Sequence, residues 1–249
     1  MPLFKVQDKL YYYAHVPKCA GSSVKVYLYE RFGEIGFNDP HYMARREPHR
    51  WTKTSAQHVT YKDLTRLIPA DWIAGSFTVV RNPLSRLISA YQFQRDVERM
   101  IDPSLTIENW FARWIESKDE TPFQYDNHLV PQTLFVPPGA KVFYLEHGVN
   151  AIIPWLDAIE GGANDMRIVD SINTAKAKGE KPVPSQELRD MVSEVYAEDF
   201  ERFQYRIDQK MPLADAPEQG APTHGDIRNM KMRKLKYKVK RRLGLAKDV

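Results

Sequence analysis

The residue types that could do chemistry fall in two short segments, each directly after an apolar run. The first segment consists of Pro17, Lys18, Cys19, Ala20, Gly21, Ser22 and Ser23. Gly21 allows a ligand to approach the backbone closely, and the first N–H groups of the following helix, from Gly21 to Val24, point toward an anion. The segment therefore predicts a phosphate-binding turn to which Lys18 adds a positive charge. The alternative is an ordinary strand-to-helix turn with a solvated Lys18 and a capping Ser22.

The second segment has the pattern R-x-P-x-x-R-x-x-S-x-Y and runs from Arg81 to Tyr91. Arg81 stands where a predicted strand ends, and Ser85 and Ser89 project from the next helix one turn apart. A guanidinium and two hydroxyls can therefore converge on one phosphate, which predicts a second anion site. The alternative is a helix start with a surface arginine, in which Arg86 forms a structural salt bridge.

Both segments lie between a predicted strand and a predicted helix. Apolar and aromatic residues predict buried strands at Lys9–Val16 and Trp72–Val80, and Pro83 is placed to open the helix after the second strand. Further predicted elements are a strand at 140–145 and helices at 106–115, 149–159 and 185–200, the last with Ser185 as its N-cap. This alternation indicates a three-layer α/β fold with a central, mostly parallel sheet, and ligands at the carboxyl ends of its strands.

Together the two segments resemble the donor-binding motifs of sulfotransferases that use 3′-phosphoadenosine 5′-phosphosulfate (PAPS), most closely those of the carbohydrate branch. The resemblance implies a P-loop-like nucleotide-binding core in which residues 17–23 bind the 5′-phosphosulfate. It also implies that Arg81 and Ser89 bind the 3′-phosphate, and that Lys18 is catalytic because it stabilises the oxygen leaving the sulfur. The product would be 3′-phosphoadenosine 5′-phosphate (PAP). Chemistry of this type needs no metal, and no Cys/His cluster in the sequence has metal-ligand spacing.

The acceptor side of the resemblance rests on weaker similarities within residues 9–206. Residues 57–61 resemble the segment that supplies the general-base histidine of uronyl 2-O-sulfotransferases, which implies His58 as the catalytic base. An imidazole with a pKa of roughly 6.5 suits that task at neutral pH. A structural histidine is the alternative role for His58, and His128 is the alternative base.

Two more segments complete the resemblance. Residues 127–132 are similar to an H-x-x-P-Q element near the acceptor cleft, which implies acceptor contacts by His128 and Gln132. Residues 196–205 are similar to the family's closing helix. The predicted function is therefore transfer of a sulfuryl group from PAPS to a hydroxyl of a carbohydrate or glycolipid acceptor.

Two other functions fit parts of the sequence. A nucleotide-dependent kinase on the same fold is disfavoured because the lysine precedes the glycine, unlike in a Walker A loop, and no acidic residue after a strand is placed to hold Mg²⁺. A non-catalytic polyanion-binding protein would use the basic end of the chain. The presence of both donor segments together with His58 favours an enzyme.

Charge divides the chain into an acidic body and a basic end. Residues 228–249 contain ten Lys or Arg and one acid, a net charge of +9, whereas the whole chain carries +4. We therefore predict a domain at 1–211, a linker at 212–227 that contains prolines and glycines, and a basic tail at 228–249. An apolar stripe in the tail predicts a helix over 228–245. The stripe consists of Met232, Leu235, Val239, Leu243 and Ala246.

The tail pattern is typical of a helix lying on an anionic membrane surface. A solvated basic end is the alternative, and nucleic acid is disfavoured because no base-reading motif accompanies the charge. No apolar run approaches the ~20 residues that span a bilayer. The first residues lack the apolar region of a secretory signal, and Cys19 is the single cysteine. We therefore expect a cytoplasmic protein, peripheral on the membrane at most.

Overall fold

The computed structural model of the chain describes residues 1–163, 165–171, 181–216 and 223–242, with a four-stranded sheet at its centre. The strands are, in their order across the sheet, β1 (Leu3–Val6), β2 (Lys9–Ala14), β3 (Ile73–Val80) and β4 (Lys141–Tyr144). β1 is antiparallel to β2, whereas β2, β3 and β4 are parallel to one another. Helices flank the sheet, which confirms the predicted α/β fold.

The first strand is a feature that the sequence did not reveal. β1 pairs with β2 as a hairpin in which Leu3 lies opposite Tyr12. The hairpin turns through Gln7, which adopts a left-handed conformation with φ 54°. Because the turn lacks the Asn-Gly or Asp-Gly pair typical of two-residue hairpins, neither its position nor the short strand before it was recognisable.

Eight α-helices lie in the described parts of the chain. They are α1 (Gly21–Phe32), α2 (Tyr61–Leu64), α3 (Pro83–Asp96), α4 (Ile107–Ser117), α5 (Ile153–Glu160), α6 (Gln186–Val195), α7 (Ala197–Arg202) and α8 (His224–Arg242). Side-chain caps fix two of the starts that matter here. Asn82 accepts a hydrogen bond from the Ser85 N–H at 3.0 Å, and Ser185 accepts one from the Leu188 N–H at 3.2 Å, as predicted for Ser185.

The predicted helix over 185–200 is divided at Tyr196. The Tyr196 hydroxyl is buried and donates to the Leu129 carbonyl at 2.7 Å. The bend at this residue lets Asp199 on α7 accept hydrogen bonds from the Gln132 and Thr133 N–H groups, both at 2.9 Å. These long-range contacts override the local periodicity, which by itself favours one continuous helix.

Two apolar clusters stabilise the domain. The first packs on the sheet and includes Tyr12, Phe77 and Leu28. The second lies between α3, α4 and α6 and includes Leu87 and Trp110. β2 and β3 are parallel, so their carboxyl ends lie at the same edge of the sheet, and both chemical segments follow these ends.

The basic end of the chain forms a helix that begins earlier than predicted. α8 starts at His224, inside the predicted linker, and is described as far as Arg242. Leu243 and Ala246 of the predicted apolar stripe lie outside the described residues. Within the described part of the chain, no helix is both long and apolar enough to cross a bilayer.

The second arginine of the R-x-P-x-x-R pattern is buried and structural. Arg86 on α3 donates from Nη1 to the His128 carbonyl at 3.0 Å and from Nη2 to the Val130 carbonyl at 2.8 Å. Its partners are therefore two carbonyls, where the sequence had suggested a salt bridge. The contact fixes residues 128–130 against α3.

We expect Arg86→Met to lower the free energy of unfolding by about 2–4 kcal/mol, because it leaves two buried carbonyls without donors. Arg86→Lys should recover only part of the loss, since an ammonium lacks the planar fork that reaches both carbonyls. Urea denaturation of the three proteins measures the difference. A change below about 1 kcal/mol for Arg86→Met would contradict the structural role.

Candidate functional site

Residues 17–23, here called the donor loop, connect β2 to α1. Lys18 and Ala20 adopt left-handed conformations with φ 68° and 61°, an alternation that turns backbone N–H groups toward one concave surface. The N–H groups of Ser23 and Val24 donate to the Ala20 carbonyl at 3.0 and 3.2 Å. The prediction that these two groups would also face an anion is therefore not met. Among the described residues, the N–H groups of Gly21 and Ser22 have no hydrogen-bond partner.

Gly21 is required by a contact that the sequence did not show. A Cβ atom at this position would lie 1.6 Å from Nε2 of His15, so no other residue fits without displacing the imidazole. The His15 ring is buried and stacks on Tyr13 with ring centroids 5.5 Å apart. Burial, followed by the neighbouring His58, lowers the pKa of His15 well below its usual value. A neutral imidazole therefore fills the space beside Gly21 in the donor loop.

The two predicted anion segments meet at the donor loop. Arg81, at the end of β3, donates from Nη1 to the Lys18 carbonyl at 3.3 Å. The Lys18 Nζ atom lies 3.6 Å from the centre of the Phe93 ring. Burial, and then the charge of Arg81, lowers the pKa of Lys18 to about 8. Ser89 is half-buried on α3, and its hydroxyl has no hydrogen-bond partner within the described ranges.

Gln132 lies beneath this junction. Its side-chain N–H donates to the Arg81 carbonyl at 2.9 Å, and its amide oxygen accepts from the Arg81 N–H at 3.0 Å and from the Cys19 thiol at 3.6 Å. The side chain is fully buried. Because its amide is already bonded within the protein, we assign Gln132 a structural role in place of the predicted acceptor contact.

His58 is held by a carboxylate and a hydroxyl. Its Nδ1 atom lies 2.7 Å from Oδ2 of Asp126 and 3.0 Å from the Ser55 hydroxyl. Ser55 also donates to Asp126 from its hydroxyl at 2.7 Å and from its backbone N–H at 2.6 Å. Burial raises the pKa of Asp126, but the charge and hydrogen bond of His58 outweigh it and hold this pKa below its usual range. An ionised carboxylate therefore faces Nδ1.

Sequence reasoning missed Asp126, and its backbone explains why. Tyr125, Asp126 and Asn127 are consecutive left-handed residues with φ between 53° and 58°. Non-glycine residues adopt this conformation at a cost of ~1–3 kcal/mol each, and it persists where neighbouring contacts hold it. One such contact is the hydrogen bond from the Asn127 side chain to the His58 carbonyl at 3.0 Å. Nothing in the local sequence announces such a run.

His128 lies beside His58 but in a different environment. The two ring centroids are 4.9 Å apart, and Nδ1 of His128 lies 3.1 Å from Nε2 of Gln94. With the Gln94 amide nitrogen facing it, Nδ1 of His128 acts as the acceptor in the neutral tautomer that carries its proton on Nε2. Burial, followed by the charges of His58 and Lys18, lowers the pKa of His128 well below its usual value.

A cavity of about 780 Å³ opens beside the two histidines. Its lining includes Ser22 of the donor loop, His58, His128, Phe93 and Lys25. Ligand-type atoms of His58, Asp126 and His128 also come within 4.8 Å of one another, an arrangement that could hold a metal ion. Their separation in sequence hid this cluster. The short His58–Asp126 hydrogen bond, however, is the arrangement of a base and the group that orients it.

A comparison with family models shows the family to which the chain belongs. A family model described as Sulfotransferase family matches residues 3–206, more than four fifths of the chain. The chain belongs to the sulfotransferase family. No curated protein and no solved structure matches it significantly. The sulfotransferase match spans the donor loop, Arg81 and the histidine cluster, and it ends before α8.

Proposed function

We propose that this protein transfers a sulfuryl group from PAPS to a hydroxyl of a carbohydrate or glycolipid acceptor. The observation that carries the proposal is that Ser22 of the donor loop and the oriented His58 line one cavity, while Arg81 is hydrogen-bonded to the same loop at Lys18. Membership of the sulfotransferase family supports sulfuryl transfer as the reaction class. The donor and acceptor identities are the finer part of the proposal.

The donor would bind across the junction of the two segments. The open N–H groups of Gly21 and Ser22, at the start of α1, suit the 5′-phosphosulfate because they donate to an anion along the helix dipole. Arg81 and Ser89 would bind the 3′-phosphate. Support comes from the hydrogen bond between Arg81 and the Lys18 carbonyl, which fixes the spacing of the two anion sites.

The chemistry follows from the orientation of His58. Asp126 accepts from Nδ1, so the lone pair of Nε2 is available to the acceptor hydroxyl. As the hydroxyl proton passes to Nε2, the oxygen forms a bond to sulfur, and the bond from sulfur to the bridging phosphate oxygen breaks. Lys18 would stabilise the electron pair left on that oxygen. Asp126 stabilises the imidazolium, and no step requires a metal.

His58 is a better base than His128 on the geometry of their partners. Protonated His58 is hydrogen-bonded to the Asp126 carboxylate at 2.7 Å, whereas protonated His128 would be buried beside an amide and a second histidine, with Asp126 nearby but not hydrogen-bonded to it among the described residues. His128, with its proton on Nε2, suits a donor of a hydrogen bond to the acceptor. We therefore propose His58 as the base and His128 as an acceptor-binding residue.

Removing the base should separate chemistry from donor binding. We expect His58→Ala to retain PAP binding and to lose ~10²–10⁴-fold in turnover, and Asp126→Asn to lose a similar factor because the imidazole loses its orientation. The double variant should be little worse than either single one, since the two residues act as a unit. Single-turnover assays with radiolabelled PAPS measure the rates. Multiplicative losses would contradict the coupling.

The donor assignment is tested by comparing PAP with ATP. PAP should raise the melting temperature more than ATP does, because only PAP carries a 3′-phosphate. Arg81→Ala should remove the difference, since a charge-assisted contact is worth ~1.5–3 kcal/mol, at least tenfold in affinity. Arg113→Ala, which removes an exposed arginine on α4, is the matched control. Equal stabilisation by PAP and ATP in the unchanged protein would favour a kinase and refute the proposal.

We further propose that residues 228–245, which include most of α8, hold the enzyme on anionic membranes at the cytoplasmic face. Met232 and Leu235 are 48% and 63% exposed, which leaves apolar side chains open beside many cations. Arg233 ties the helix to the domain by donating to the Ile168 carbonyl at 3.0 Å. The division into a domain at 1–211, a linker and a membrane-binding tail stays part of this proposal, with a shorter linker because α8 begins at His224.

The membrane proposal predicts co-sedimentation of the full chain with phosphatidylserine vesicles, but not with phosphatidylcholine vesicles, at low salt. Each Lys or Arg near an anionic surface contributes ~1 kcal/mol, and salt should release the protein. Replacing Met232 and Leu235 together by serine should weaken binding severalfold, whereas Leu67→Ser, at an exposed position in the domain, should not. Unchanged binding of the double variant would leave only a salt-dependent charge effect and refute insertion of the apolar stripe.

A further inference from the structure

His58, Asp126 and His128 form a cluster of metal-ligand groups that the reaction described above uses without an ion. Ligand-type atoms of the three side chains lie within 4.8 Å of one another. His58 and His128 are 8% and 6% exposed, so packing holds both rings in place. Two imidazoles and one carboxylate suit zinc and the other late first-row divalent ions, whereas Mg²⁺ and Ca²⁺ prefer oxygen ligands.

Asp126 retains an acceptor position for an ion. Its carboxylate accepts three hydrogen bonds, from the N–H and hydroxyl of Ser55 and from Nδ1 of His58. Because two carboxylate oxygens offer about four acceptor positions, these contacts leave one position over. The contact with Nδ1 also orients the His58 ring, as a carboxylate does for a ligating imidazole in metal sites.

Gln94 can support His128 as a ligand. Its Nε2 atom lies 3.1 Å from Nδ1 of His128, and its Oε1 atom is buried and has no hydrogen-bond partner among the described residues. A half-turn of the amide would place Oε1 beside Nδ1, which would then carry the ring proton and donate it. The lone pair of His128 would then lie on Nε2, where it can bind an ion.

The cluster is open to ions from the cavity of about 780 Å³. All three side chains line this cavity, so water can occupy the remaining coordination positions. Four carboxylates and three basic side chains line it, so its charge does not repel a cation. The carboxylates belong to Glu47, Glu98, Glu120 and Asp126, and the basic residues are Lys25, Arg50 and Lys53. Three protein ligands with open positions distinguish such a site from a closed structural zinc site.

We propose that this cluster binds one divalent ion of the zinc type and that the bound ion inhibits sulfuryl transfer. Bonds of about 2.1 Å in a tetrahedral site bring ligand atoms to ~3.4 Å from one another, so the side chains must approach by roughly 1 Å. The inhibitory part of this inference rests on the proposed function, whereas ion binding by the cluster does not.

Inhibition follows from either way in which His58 can bind the ion. An ion on Nε2 occupies the lone pair that would take the proton of the acceptor hydroxyl. An ion on Nδ1 replaces the proton there, and the neutral ring then carries its proton on Nε2. In both cases Nε2 can no longer act as the base.

The first test measures ion binding without any reaction. Metal-free full-length protein, without nucleotide or histidine tag, is titrated at pH 7 with Co²⁺, whose visible absorption reports its ligands, and with Zn²⁺ by calorimetry. We expect one ion per chain, and we expect Zn²⁺ to displace Co²⁺. Excess Mg²⁺ or Ca²⁺ should not displace it, because these ions bind imidazole poorly.

Variants assign the ion to the cluster. Asp126→Asn and His128→Ala should each weaken Zn²⁺ binding by at least ~10–100-fold, since loss of an outer partner alone costs that much. His49→Ala removes an exposed histidine outside the cluster and should leave binding unchanged. A melting temperature shows whether each variant is folded. If His128→Ala is unfolded, Asp126→Asn, which keeps the shape of the side chain, decides the result.

The second test follows single turnover with PAPS. Saturating Zn²⁺ should slow it by ~10²–10⁴-fold, the loss expected when the base is removed, at the concentrations that fill the site, and EDTA should restore the rate.

The inference is overturned if no ion binds, if Mg²⁺ displaces Co²⁺ as readily as Zn²⁺ does, or if binding survives in the cluster variants. Binding without inhibition overturns its inhibitory part. Failure of the proposed function is separately visible, because PAP then fails to stabilise the metal-free protein, whereas the Co²⁺ and Zn²⁺ titrations still decide whether the cluster binds an ion.

Discussion

The proposed donor site depends on the hydrogen bonds of one buried side chain, the amide of Gln132. The side-chain amide bonds the backbone N–H and carbonyl of Arg81 and the thiol of Cys19. The backbone N–H of Gln132 donates to the Asp199 carboxylate. The end of β3, the donor loop and α7 are therefore joined through one side chain. Asp199 itself is buried, and burial raises its pKa despite the nearby Arg86 and the backbone donors. Asp199 on α7 thus positions Gln132, and Gln132 in turn positions the backbone of Arg81 at the proposed donor site.

The segment that ends at Gln132 also positions His58, the proposed base. Residues 125–132 supply Asp126 to His58, place His128 beside it, and end at Gln132. Arg86 fixes the middle of this segment through the carbonyls of His128 and Val130. The position of Arg81 and the orientation of His58 therefore depend on the same short segment of chain. Only a few residues, which are left-handed at 125–127 and fixed by Arg86 at 128 and 130, separate the two ends of the segment, so we expect a disturbance at one end to reach the other.

Sequence reasoning reached the fold because the fold depends on local patterns, and local patterns also singled out the two segments that meet at Lys18 and Arg81. β2, β3 and β4 are runs of apolar residues, and the helix starts have Asn82 or Ser185 as caps. The contacts that complete the site join residues far apart in sequence. Asp126 is 68 residues from His58, and nothing near Gly21 shows that His15 fills the space beside it. The break at Tyr196 likewise depends on Gln132 and Thr133.

The position of Cys19 makes the donor loop a chemically protected element. The single thiol of the chain is fully buried between Pro17 and Gln132, and burial raises its pKa to about 12. Oxidants and alkylating reagents attack the thiolate, so in the closed loop this sulfur is inert. Its modification rate is therefore governed by how often the loop breaks its contact with Gln132 and exposes the sulfur. The modification rate of Cys19 therefore reports local opening of residues 17–23, the segment that the proposed donor would have to approach.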